Sequence, residues 1–197
     1  TGGREQYVKA FGTEAAERFQ RTMNETVDEV IRVTQTEGID ADIVKGGEFS
    51  VAYTPAQEAR LRAFAAAEQR WESTDVQLLE RADAIARINV ANTRAALWHP
   101  HAARVQPAKL VAGLAEAVER LGVTIYEGTT VQEIRPREVI TTHGTVRAES
   151  IVRATEGFTA NLKGLKRLWL PMNSSLIVTE PLSDQVWEEI GWEQGEV

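Results

Sequence analysis

The chain has 197 residues, 43% hydrophobic and 26% charged, with a formal net charge of -7, which suits one sizeable core or two small ones and excludes a disordered chain. Its longest apolar runs, such as Ala63 to Ala67, fall far short of the roughly 18 residues of a membrane span, and no basic-then-apolar leader pattern is present. The absence of cysteine excludes disulfides, zinc ribbons and thiolate nucleophiles and agrees with a cytoplasmic setting, while the acidic balance argues against a nucleic-acid footprint and leaves a small molecule or another protein as partner.

Phe19, Met23, Val27, Val30, Ile31 and Thr34 recur at three- and four-residue steps, so Thr13 to Glu37 is expected to be an amphipathic helix closed by Gly38. Gly46 and Gly47 break that pattern. Phe49, Val51 and Tyr53 then alternate with Glu48, Ser50 and Ala52 as a half-buried strand does. Thr54, Pro55 and Gln57 together spell a helix start, with a hydroxyl cap, proline at the first helical position and a capping box. The helix so opened carries Leu61, Phe64 and Trp71. Val76 to Leu79 is expected to be a short strand and Ala82 to Ile88 a short helix.

Ala95 to Trp98 is expected to be extended, and Pro107 opens a helix with Leu110, Val111, Leu114, Val118 and Leu121 on one side, closed by Gly122. Strands are expected at Val123 to Tyr126 and Val131 to Ile134. Val139 to Thr142 and Thr145 to Ala148 flank His143-Gly144, the spacing of a tight hairpin. Ser150 to Ala154 runs apolar, Leu176 to Thr179 reads as a strand stopped by Pro181, and Ser183 or Asp184 caps a last helix containing Trp187. Two composition zones emerge, helix-rich before about Ala91 and strand-rich after it, with no linker between them. One compact α+β body is expected.

Candidate chemistry is sparse. His99 and His101, two residues apart on an extended chain, aim at one face, as metal ligation or a substrate pocket would use. No third ligand is near in sequence, so no metal is expected. Ser174-Ser175 lacks a nucleophile elbow, and the acidic pairs Asp28-Glu29 and Glu188-Glu189 read as solvated helix faces. Of five tryptophans only Trp98 sits beside the histidines. Neither G-x-G-x-x-G nor G-x-x-x-x-G-K occurs.

An ordered series of weaker signals carries more. Val105-Gln106-Pro107-Ala108-Lys109-Leu110 opens a helix, Gly122-Val123-Thr124-Ile125 follows it, and Thr129 to Ile134 matches t-x-V-x-x-I. Ile151 to Thr159 matches a strand ending in A-T-x-G, and Pro171 to Leu182 matches P-x-x-S-x-x-x-x-T-E-P-L. In order and spacing these segments, clearest over residues 95 to 182, resemble the D-amino-acid-oxidase-like family of FAD-dependent oxidoreductases, which includes glycine, sarcosine and gamma-glutamylputrescine oxidoreductases.

The resemblance implies part of a two-domain flavoprotein that oxidises the C-N bond of an amino acid or amine by hydride transfer to FAD. Residues 1-90 would be a helix-rich part of the substrate domain, 91-160 part of the FAD-binding domain, and 161-197 a substrate-domain strand and helix. It also implies cofactor contacts at Val131, Ala154, Thr155 and Gly157, where small residues let backbone approach a ligand. Arg153 and Glu156 depart from the small or neutral residues usual there. Trp98, His99 and Asn173 are placed in the substrate pocket. Because the family's phosphate-binding glycine motif is not in this sequence, the chain is expected to be an internal fragment or truncated relative that holds FAD weakly or not at all. The rival expectation is a non-enzymatic interaction domain presenting Trp71, Trp187 and Trp192 to a partner.

Overall fold

Backbone pairing converges on one strand. In the computed structural model, which describes residues 4–193 and 195–197, β3 (Ala95–His99) lies between β1 (Glu48–Ala52) and β2 (Gln77–Glu80), antiparallel to both. Phe49 stands opposite Trp98 and Ser50 opposite Leu97. The side-chain period of two therefore puts Ser50 and Leu97 on one face, Phe49 and Trp98 on the other. This sheet belongs to a unit built from residues 1–121 and 181–197.

Helices surround it. A short α1 (Glu5–Phe11), which the periodicity does not reveal, turns at Gly12 into the 25-residue α2 (Thr13–Glu37). Gly38 closes α2 in the left-handed conformation with φ 70°. The capping box forms as expected at the start of α3 (Pro55–Glu68): Gln57 N–H donates to the Thr54 hydroxyl at 3.2 Å, and the Thr54 amide donates to the Gln57 side chain at 3.0 Å. Then come α4 (Arg81–Arg87), α5 (Pro107–Arg120) and α6 (Asp184–Ile190). The Gln106 side chain caps α5 by accepting from the Lys109 amide at 2.8 Å, and Ser183 caps α6. The C-terminal residues return to the sheet, since the Phe49 amide donates to the Val197 carbonyl and the Val197 amide to the Gly47 carbonyl, both at 2.9 Å.

The interior is made of small residues. Ala52, Ala84, Ala95 and Ala96 are completely buried, which brings helix and sheet backbones close. Many large apolar side chains are instead exposed, Val111 and Leu121 of the expected α5 stripe among them.

The second unit, residues 122–180, contains the meander β4 (Val131–Arg135), β5 (Glu138–Thr141) and β6 (Gly144–Arg147), paired in that order. The hairpin falls one residue earlier than the sequence suggests: Thr141 pairs with Gly144, so Thr142 and His143 form the turn. A 3-10 turn of helix, Glu156–Asn161, follows. Neither Val123 to Tyr126 nor Leu176 to Thr179 forms a strand. Both have strand composition, yet a strand needs a neighbour for its amides and carbonyls, and no described segment pairs with either. Ile177 is 96% exposed.

Candidate functional site

A cavity of about 680 Å3 opens on the Ser50 and Leu97 face of the first sheet, within the size range of small-molecule pockets. β1 and β3 supply Glu48, Ser50, Leu97 and His99, and α3 supplies Gln57, Arg60, Leu61 and Phe64. α1 contributes Tyr7, and Arg4 comes from the N-cap position just before it. One end is polar and internally satisfied. Arg4 Nη2 meets Glu68 Oε2 at 2.7 Å with both side chains largely buried, and Arg4 Nη1 donates to Ser73 Oγ at 2.9 Å. Burying an ion pair is tolerable when such extra hydrogen bonds complete it. Arg60, by contrast, has no carboxylate partner among the described residues, so its charge is available to a ligand.

His99 is half-buried at the edge of this cavity. Burial, with a smaller contribution from the neighbouring His101, holds its pKa below the ordinary 6.5, against the opposing pull of Glu48, Asp75 and Glu68. The imidazole is thus kept neutral near neutral pH, with a ring nitrogen able to accept a hydrogen bond. The His99 and His101 rings lie 5.3 Å apart, edge to face. His101 Nε2 is 2.6 Å from Asp75 Oδ2, and its buried Nδ1 has no hydrogen-bond partner. Among the described residues no group of three or more His, Cys, Asp or Glu is placed to hold a metal ion.

Trp98 points the other way. Its indole N–H donates to the Gly46 carbonyl at 2.9 Å, and the Arg87 guanidinium lies 4.5 Å from the ring centre. The structure therefore does not bring Trp98 and His99 onto one face. Asn173 is exposed in the second unit, in a stretch without regular structure, as are Ser174 and Ser175. Trp71, Trp187 and Trp192 are half-buried rather than presented to solvent, with Trp71 beneath Arg4 and the other two rings 6.0 Å apart.

In the second unit, Val131 is the first residue of β4, half-buried and paired with Thr141 at a register irregularity. Ala154 and Gly157 are exposed, and Thr155 shares a 2.8 Å hydrogen bond with the buried Thr159 hydroxyl. That bond anchors the turn from below. A Cβ added at Gly157 would meet nothing within 4 Å, so the backbone there is open to an approaching ligand. The turn suits an uncharged part of a dinucleotide. The Glu156 carboxylate between Thr155 and Gly157 does not suit a pyrophosphate.

Sequence reasoning finds the capping role of Gln57 and misses that it also faces the cavity. It misses Arg4 and Glu68 entirely, because two opposite charges 64 positions apart leave no periodic signal.

A family model described as "FAD dependent oxidoreductase" matches residues 3–195. The protein named "Probable oxidoreductase OrdL" of Haemophilus influenzae is 23% identical over 197 residues, covering 95% of this chain and 46% of the relative. Glycine oxidase from Geobacillus kaustophilus superposes with a TM-score of 0.62 at 25% identity, over 77% of this chain and 41% of that one. Glycine oxidase from Bacillus cereus gives a TM-score of 0.64 at 21% identity, over 74% and 42%. The chain thus spans less than half the length of each.

Proposed function

We propose, for a chain that belongs to the FAD dependent oxidoreductase family, that it forms part of an enzyme oxidising the C-N bond of an amino acid or amine. The observation that carries this reading is the family match over residues 3–195, reinforced by the likeness to a glycine oxidase at 25% identity. When bound, FAD supplies the hydride acceptor, and the imine product is hydrolysed by water.

The chain's own residues have separate tasks in this reading. In the second unit, the backbone at Val131 and the turn Ala154, Thr155 and Gly157 contact the cofactor, and β4, β5 and β6 belong to the FAD-binding domain. In the first unit, the sheet β1-β3-β2 belongs to the substrate domain, which moves β3 out of the expected 91-160 cofactor segment because it pairs with β1 and β2 on both sides. There the neutral His99 accepts a hydrogen bond from a substrate amine, while Arg60 offers a guanidinium to a carboxylate. Trp98, braced by Gly46 and Arg87, is a positioning residue that fixes β3 from behind.

The test is purification of the full-length product of the gene encoding this chain, with flavin absorption recorded before and after anaerobic addition of amino acids and polyamines. Amine-dependent bleaching of a bound flavin supports the reading. A flavin-free protein, or a flavin indifferent to every amine tried, would overturn it.

A further inference from the structure

In a chain whose net charge is -7, four cations line one cavity. A cavity of about 590 Å3 in the second unit is lined by Arg135, Arg137, Arg153 and Lys163. Glu133 serves two of these, meeting Arg135 at 3.0 Å and Lys163 at 4.0 Å. Arg137 and Arg153 have no carboxylate partner among the described residues. The floor between the cations is apolar, formed by Ile134, Ile151, Leu162 and Leu165.

A second observation points the same way. Arg137 occupies the β4 to β5 turn with φ 62°, a left-handed conformation in which glycine or asparagine is the residue of least strain. An arginine held there gives up turn stability and places a guanidinium at the rim of the cavity. Backbone strain of this kind is a reason to ask what the side chain does.

We infer that this cavity binds a small organic anion with an apolar body, its head group on Arg137 and Arg153 and its body on Ile134, Ile151, Leu162 and Leu165. Guanidinium groups match planar or phosphate-type anions with paired hydrogen bonds, and the apolar floor contributes in proportion to the area it covers. Arg153 adjoins Ala154 of the proposed cofactor turn, whereas Arg137 and the apolar floor lie outside that turn, so competition with FAD decides whether the two surfaces are separate.

The test is calorimetric titration of the 197-residue chain at low ionic strength with decanoate, decanol and inorganic phosphate. Decanoate, kept below its micelle concentration, should bind one to one and more tightly than either of the others. Arg137→Gly should weaken decanoate about tenfold, and because glycine suits the turn it should leave the thermal midpoint unchanged or raise it. Arg153→Gln should weaken decanoate without lowering the midpoint. Equal affinity in parent and Arg137→Gly would overturn the inference, as would decanol or phosphate binding as tightly as decanoate. Displacement of decanoate by FAD would overturn it too, because the cavity would then belong to the cofactor surface.

Discussion

Trp98 and His99 are adjacent on β3 and face opposite sides of its sheet: the indole donates to Gly46 at 2.9 Å beneath Arg87, while the imidazole borders the cavity beside Glu48. Gly47 makes the Trp98 side possible. Its φ is 88°, and a Cβ added there would meet the Trp98 indole nitrogen at 2.6 Å and the His99 carbonyl at 2.5 Å. Gly47→Ala should therefore destabilise the chain by roughly 2 kcal/mol or more, from backbone strain and the displaced indole together. Urea unfolding checks this, and a midpoint equal to the parent's would show that the indole can move at no cost.

Glu17 ties α2 to the loop after α3. Its carboxylate accepts from the amides of Glu72 and Ser73, each at 3.0 Å, and the residue is only 6% exposed. Burial alone would raise its pKa, but the hydrogen bonds from Ser73 and Glu72 and the charge of Arg4 outweigh that and hold it below the ordinary 4.5. The unfolded chain therefore binds more protons in this window. The stabilisation is complete above about pH 4.5 and is lost as pH falls through the lower folded value. Glu17→Ala should cost about 2 kcal/mol near neutral pH, because two amides lose their acceptor, and should flatten the acid limb of the stability curve. An acid limb identical to the parent's would contradict the assignment.

His99 titrates in the same direction for a different reason. Burial holds its pKa below 6.5, so its contribution is full above about pH 6.5 and declines as pH falls through the folded value. Titration of the imidazole protons by NMR should give His99 a midpoint below the ordinary 6.5. A midpoint at or above 6.5 would remove the neutral imidazole from the proposed site.

How much of this was legible in the sequence depends on what holds each element. α2, α3 and α5 satisfy their own backbones and announce their ends through Gly38, Thr54 to Gln57 and Pro107, so periodicity and caps locate them. The β4 to β6 meander is local and was legible to within a residue. Val123 to Tyr126 and Leu176 to Thr179 have the composition of strands, but composition does not supply a neighbour, and they pair with nothing among the described residues. The cavity is less legible: the resemblance places Trp98 and His99 in one pocket, but alternation on β3 sends them to opposite faces, and Arg4 and Arg60 reach the cavity through tertiary packing.

Gly157 separates ligand contact from folding. Because a Cβ there meets nothing within 4 Å, Gly157→Val should leave the chain's stability within about 0.5 kcal/mol of the parent's. In the full-length protein it should weaken FAD retention by crowding the approach, while His143→Ala should not. Equal flavin retention in both variants, measured by equilibrium titration, would remove this turn from the cofactor surface.

The account rests on amine-dependent flavin chemistry in the full-length protein that contains these residues. The most direct measurement is the anaerobic absorption spectrum of that protein, purified with its flavin, during titration with glycine, sarcosine and polyamines in turn. The account predicts stoichiometric loss of the oxidised flavin band with at least one of them, and its slowing in the Arg60→Gln and His99→Ala variants. An oxidised spectrum unchanged by every amine, in a protein shown to hold flavin, would contradict it.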